Sequence, residues 1–183
     1  MSLIDLSKQV ALGVDIGGTN TKYGIVNHRG EILAKGSLKT DEYPKVEDFI
    51  DALSDKVTPL IEQHCSQKQF DGIGVGAPNA NYYTGTIEQA PNLRWKGVVP
   101  FAELMTKKFG VPCKMTNDAN AAALGEMMFG AARGMKHFIM MTLGTGVGSG
   151  IITNGQLLYG HDGFAGELGH TIVKPGGRKH WST

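Results

Sequence analysis

The sequence of 183 residues predicts an α/β fold of two lobes. Three observations predict it. Short β-branched and apolar runs alternate with segments of helical period, and the glycines gather between those segments. The pattern then restarts after Thr116 at a strand-to-helix corner. Taking the chain in order, 10–16 is a buried-type strand ending on Gly17-Gly18, and 21–27 is a second strand. His28-Arg29-Gly30 makes a turn into a third strand at 31–38, giving a meander. Val46, Phe49, Ile50, Leu53, Val57, Leu60 and Ile61 recur at helical spacing, so 45–65 is an amphipathic helix packed on that sheet. The apolar run 70–76 follows the helix and is expected parallel to the first strand. A loop is expected over 85–93 and a helix over 100–109, with proline at its start and Gly110 at its end. Strand 112–116 leads into an alanine-rich helix at 118–132. Strands 137–143 and 147–153 are joined by a glycine loop, and Asn154-Gly155 turns the chain into 156–159. The remainder is loop-like with one short strand near 171–174. The lobes are expected at 1–116, a sheet with flanking helices, and at 117–183, a second lobe that stops early.

Composition narrows the function classes. The formal net charge of +1 gives no global field toward nucleic acid or anionic lipid, so neither is expected as a partner. The two cysteines, Cys65 and Cys113, have neither metal-ligand spacing nor the look of a secreted disulfide framework, which fits a reducing cytoplasm. No signal peptide is evident at the start, and no apolar run approaches the ~18 to 20 residues that cross a bilayer. Glycine is the anomaly: 26 residues, concentrated in 13–18, 72–76, 144–150 and 160–177. Clustered glycine marks unusual backbone or backbone that approaches a ligand closely.

Four motifs carry chemistry. In Asp15-Ile16-Gly17-Gly18-Thr19-Asn20, the glycines turn the chain tightly and expose N–H groups to an anion, Asp15 can hold water on Mg²⁺, and Thr19 and Asn20 can donate to phosphate oxygens. A plain hairpin explains Gly-Gly equally well; the buried strand ending in a carboxylate favours phosphate once the second loop is counted. That loop, with Gly144, Thr145, Gly146 and Gly148, fits neither G-x-G-x-x-G, because position 149 is serine and a strand follows, nor a Walker A sequence. Two phosphate-type turns, each between strands and one per lobe, suit ATP clamped between lobes. The third motif is Thr116-Asn117-Asp118-Ala119-Asn120, with Asp118 at a helix N-terminus where the dipole favours negative charge. Helix capping alone explains an Asn-Asp pair, but its place between two phosphate loops points to phosphoryl transfer. In the fourth, Gly166-Glu167-Leu168-Gly169-His170, the Glu and His are three apart and can face one ligand, though alone they read as surface residues.

Together these segments resemble the ROK family (repressors, open reading frames and kinases), whose sugar kinases have the actin-like, ribonuclease H-like two-lobed fold of hexokinase type. The stretch 143–170 fits the family signature, with glycines at 144, 146, 148, 150, 160, 166 and 169. GVDIGGTNTKYGIV (13–26), APNLRW (90–95), NDANAAALGE (117–126) and GELGH (166–170) match as well. The resemblance implies a glucokinase-like enzyme with ATP and Mg²⁺ that phosphorylates a hexose hydroxyl, glucose before N-acetylhexosamines or fructose, with polyphosphate as a variant donor. It makes Asp118 the base, and Asn92, Asn117, Glu167 and His170 the sugar contacts. Segments 15–19 and 144–148 would cradle the donor phosphates, and a homodimer is implied. The family's repressors are the alternative, but they carry a DNA-binding module before the first glycine turn, and only fourteen residues precede Asp15. A sugar sensor without catalysis is disfavoured by the presence of both loops and Asp118. Two departures stand out. His180 and Ser182 occupy positions where many members have zinc-binding cysteines, so no metal site and no zinc are expected. The chain also ends soon after the signature, so most of the second lobe is expected to be missing.

Overall fold

Alternation along β1 (Val10–Ile16) buries Val10, Leu12, Val14 and Ile16 on one face and leaves Asp15 exposed on the other. The computed structural model that shows this describes residues 9–66, 69–144 and 146–177. β1 pairs antiparallel with β2 (Asn20–Asn27), and β2 with β3 (Ile32–Lys39). At the β2–β3 turn the Asn27 side chain accepts from the amides of Arg29 and Glu31, and Gly30 takes φ +80°. Helix α1 (Val46–His64) then returns the chain so that β4 (Phe70–Gly76) lies parallel to β1. Three short strands, β5 (Ala80–Asn81), β6 (Thr86–Glu88) and β7 (Val98–Val99), form a small sheet of their own. Helix α2 (Phe101–Phe109) ends on left-handed Gly110 and leads to β8 (Cys113–Thr116), parallel to β4. The first sheet therefore runs β3-β2-β1-β4-β8.

The core of this sheet lies on its helix-covered face, where Phe49, Leu53 and Val57 of α1 and Phe101 and Met105 of α2 meet Leu12, Ile16, Ile73 and Val75. The Phe49 ring is 4.8 Å from that of Trp95, which lies 5.8 Å from Phe101 and donates its indole N–H to the Tyr43 carbonyl at 3.0 Å. Ala90, Leu93 and Trp95 are buried, so half of the 90–95 segment serves packing.

Beyond β8 the chain builds α3 (Asp118–Phe129), β9 (Phe138–Leu143), β10 (Val147–Thr153) and β11 (Gln156–Leu157). These three strands form an antiparallel sheet whose core, Ala123, Ile152 and Leu157, packs with Met127, Phe138 and Met140. Expectation and structure differ at four places. The loop expected over 85–93 contains β6, because three-residue strands are too short to show a period. The strand expected near 171–174 does not form: Ile172 and Val173 are 79% and 94% exposed, and no strand among the described residues lies beside them to complete a ladder. Just before it, Leu168–His170 forms a single 3₁₀ turn that apolar spacing did not signal. The α3 helix also stops at Phe129, short of 132, because Glu126 ends it: its carbonyl accepts from Gly130 and Ala132 and its carboxylate from Ala131.

Candidate active site

The side of the first sheet away from α1 and α2 opens into a cleft of ≈ 1050 Å³ whose lining includes Gly13, Asp15, Lys22, Gly76, Asp118 and Thr142. Gly76 makes this possible. A Cβ there would sit 3.3 Å from the Ala121 methyl and 3.6 Å from the Asp118 Cα, so a larger residue would push α3 off the end of β4. The close approach brings two carboxylates together. Desolvation raises the pKa of Asp15 first, the nearby charge of Asp118 raises it further, and Lys22 opposes both. Lys22 is placed by register, directly opposite Asp15 in the β1–β2 hairpin.

The corner before α3 divides its work between two residues. Asn117 is the N-cap: its Oδ1 accepts from the Asn120 amide at 2.7 Å. Its Nδ2 donates to Glu167 Oε1 at 3.3 Å, so one side chain both caps the helix and reaches the segment 166–170. Among the described residues Asp118 accepts from the near amide of Ala119, and it stays exposed toward the cleft. Below the corner, buried Asn120 donates to Thr116 Oγ1 at 3.2 Å. Tyr159 bonds the same threonine and stacks on Tyr82 with ring centroids 4.1 Å apart. Burial chiefly, with Tyr82 and Tyr83 beside it, pushes the Tyr159 hydroxyl up to about 12 despite that bond.

Both glycine segments are hairpin turns. In the first, Gly17 N donates to Asn20 O at 3.0 Å, and a Cβ on Gly18 would come within 2.7 Å of the Asn92 carbonyl oxygen. Asn92 therefore lies against this turn through its backbone, and Thr19 and Asn20 are exposed beside it. In the second, Gly144 N donates to Gly146 O, and Gly148 crosses the first turn of α3, where a Cβ would sit 3.0 Å from the Ala119 methyl. Thr145 lies outside the described residues. Glu167 and His170 are joined by the 3₁₀ turn, His170 N donating to Glu167 O at 3.1 Å, and both side chains are exposed. Asn117, Asp118, Glu167 and the second glycine turn thus surround one corner, with Asp15 across the cleft.

This order of segments, now with its geometry, can be compared with known proteins. Residues 11–180 match the profile of the ROK family. The chain belongs to the ROK family. It is 39% identical to a glucokinase of Halalkalibacterium halodurans over 94% of this chain and 52% of that protein's length. A xylose repressor of Caldicellulosiruptor bescii is 33% identical over 93% of this chain and 44% of its own length. Among solved structures, a ROK family glucokinase from Streptomyces griseus in complex with glucose and AMPPNP is 38% identical, with a TM-score of 0.77 over 91% of this chain and 51% of that one. This ROK chain therefore has the actin-like ATPase fold, and it spans about half the length of the curated relatives it matches.

Two features of the candidate site escaped sequence reasoning: Lys22, opposite Asp15, and buried Ser149, whose hydroxyl bonds the Gly166 carbonyl. Lys22 had a signal, since a turn at 17–20 pairs position 15 with 22. Ser149 had none, because a serine in a glycine run shows nothing of its partners. For metals, His180 and Ser182 lie outside the described residues, and no cluster of three His, Cys, Asp or Glu that could hold an ion occurs among the described ones. Burial pushes the Cys113 thiol up to about 12, which keeps it protonated at neutral pH.

The raised pKa of Asp15 has a sign that can be measured. The folded chain holds this proton to higher pH than the unfolded chain, so the associated stability is present at acid pH and is lost as pH rises through the folded value. Asp15→Asn is expected to raise the thermal midpoint at neutral pH by about 1–3 °C and to flatten that acidic slope. A lower midpoint at neutral pH would show that the Lys22 attraction outweighs the other two effects.

Proposed function

We propose that this chain is the nucleotide- and sugar-binding half of an ATP-dependent hexose kinase, with glucose as the first acceptor to test. The observation that carries this is the placement of Asp118: exposed to the cleft on a helix N-terminus, with a glycine hairpin on that helix's first turn and the Asn117–Glu167 pair beside it. Asp118 accepts the proton of the attacking hydroxyl. Phosphoryl transfer passes through a loose transition state, so positioning and charge matter more than a strong base, and an ordinary carboxylate serves. Asn117, Glu167 and His170 orient the sugar, with Asn92 at the edge of the site. Asp15, Gly17, Gly18, Thr19 and Asn20 face the donor phosphates from one lobe and Gly144, Gly146 and Gly148 from the other, with Thr145, outside the described residues, assigned the same role. The desolvated Asp15 carboxylate, repelled by Asp118, fits a divalent cation, and Mg²⁺ bound with ATP would supply charge neutralisation there. Structural zinc forms no part of this reading, since thiolates are missing from 175–183. A lobe boundary at 116/117, a homodimeric unit and a cytoplasmic setting complete it.

The test is titration of the chain with a panel of hexoses and with a non-hydrolysable ATP analogue, followed by amide chemical shifts. Glucose should move the signals of Asn117, Glu167 and Gly169; the analogue should move those of Gly17, Gly18 and Gly148. Shifts by xylose but by neither glucose nor nucleotide would favour a repressor-type sugar binder. Within the same scheme, Gly148→Val wedges a branched side chain between Thr142 and Ala119. It is expected to weaken nucleotide binding at least about tenfold while glucose binding stays within about threefold. The reverse pattern would assign the second hairpin to the sugar.

A further inference from the structure

Like His170 and Asn92 among the proposed sugar contacts, Glu167 lies on neither a long helix nor a sheet strand, so something else must fix it. Its own turn is short, with Leu168 N donating to Gly166 O at 2.8 Å and Thr171 N to Leu168 O at 3.1 Å. A single 3₁₀ turn does not hold its shape unaided. The turn is seated flat on β10. A Cβ on Gly166 would come within 3.1 Å of the Ser149 carbonyl oxygen, and one on Gly169 would overlap the Val147 backbone, so both positions need glycine to lie this close. Gly166 also takes φ +90°, outside the range of other residues.

One side chain of β10 reaches across this contact. Ser149 is 2% exposed; its hydroxyl donates to the Gly166 carbonyl and accepts from the Leu168 amide at 3.4 Å. Those two groups belong to the residues on either side of Glu167. The carboxylate between them then meets Asn117 Nδ2 at 3.3 Å. We infer that Ser149 is a positioning residue for sugar recognition: its hydroxyl clamps both neighbours of Glu167 and so holds the carboxylate against Asn117. This rests on the sugar site proposed above. It has a mechanical consequence, because β10 begins at the second glycine hairpin. The strand that presents the donor side is also the seat of an acceptor-side ligand, so displacement of one is transmitted to the other through the Ser149 hydroxyl and the close backbone contacts of Gly166 and Gly169.

Ser149→Ala removes the clamp and little else. In the 183-residue chain the Leu168 amide should then exchange with solvent about tenfold faster, and the glucose dissociation constant should rise about five- to tenfold. The decisive comparison repeats the substitution in a Glu167→Gln background. If Ser149 acts through Glu167, adding Ser149→Ala there should change the dissociation constant less than about twofold. Unchanged Leu168 exchange overturns the clamp, and an equal loss of glucose affinity in both backgrounds overturns its action through Glu167. An unsubstituted chain that binds no hexose overturns the sugar site and this role with it. An unsubstituted chain that binds glucose, beside a Ser149→Ala chain that binds it equally well, overturns only the role of Ser149.

Discussion

Asp118→Asn is expected to abolish most of the proposed phosphoryl transfer, by about 10²- to 10⁴-fold in kcat, and to leave the glucose dissociation constant within about tenfold. The asymmetry follows from the local structure. Asn117, not Asp118, caps α3, so the helix N-terminus keeps its side-chain partner when Asp118 is changed. The amide of an asparagine at 118 can still accept the 3.0 Å bond from Ala119 and still bond a sugar hydroxyl, but it cannot take up a proton. The substitution also removes the negative charge that raises the Asp15 pKa, so the folded chain should be no less stable, and nucleotide with its cation should bind no tighter. The measurement is glucose-dependent ADP release by a polypeptide in which this chain is continued to the length of its relatives. Retention of more than about a tenth of kcat would show that another group accepts the proton.

Phe49→Ala is expected to destabilise the chain by about 3–5 kcal/mol, a large share of the 5–15 kcal/mol typical of a folded domain. Phe49 is fully buried where α1 meets Tyr43, Trp95 and Phe101, and its removal leaves a hole bounded by rings that cannot collapse into it. In a protein of this length the thermal midpoint should fall on the order of 10 °C. Leu143→Ala, on a side chain 80% exposed, supplies the contrast and should change stability by less than about 0.5 kcal/mol. Denaturant midpoints of the two variants decide the matter. A loss under about 1 kcal/mol at Phe49 would mean that the aromatic cluster is not what holds α1 to the sheet.

The sequence alone determined the elements whose period is long enough to read. β1, β4 and β10 were legible to the residue at both ends, because their apolar runs stop on glycine or at a turn. Helix α1 was legible from seven apolar positions, six of which the structure buries. The motifs around Asp15, Asp118, Gly146 and Glu167 were legible as short patterns of residue type, and their order along the chain identified the family. What the sequence could not supply was any distance between segments far apart in the chain. Only the tertiary structure decided that Asn117, and not Asp118, caps the helix while also reaching Glu167, fifty positions later. Only it showed half of the 90–95 segment to be core, with Asn92 held against Gly18, and placed Ser149 under the turn that carries Glu167. The division has a physical cause. Period and turn chemistry are local, set by backbone sterics over a few residues, whereas a polar side chain's partner depends on how whole elements pack, and one sequence position carries no record of that.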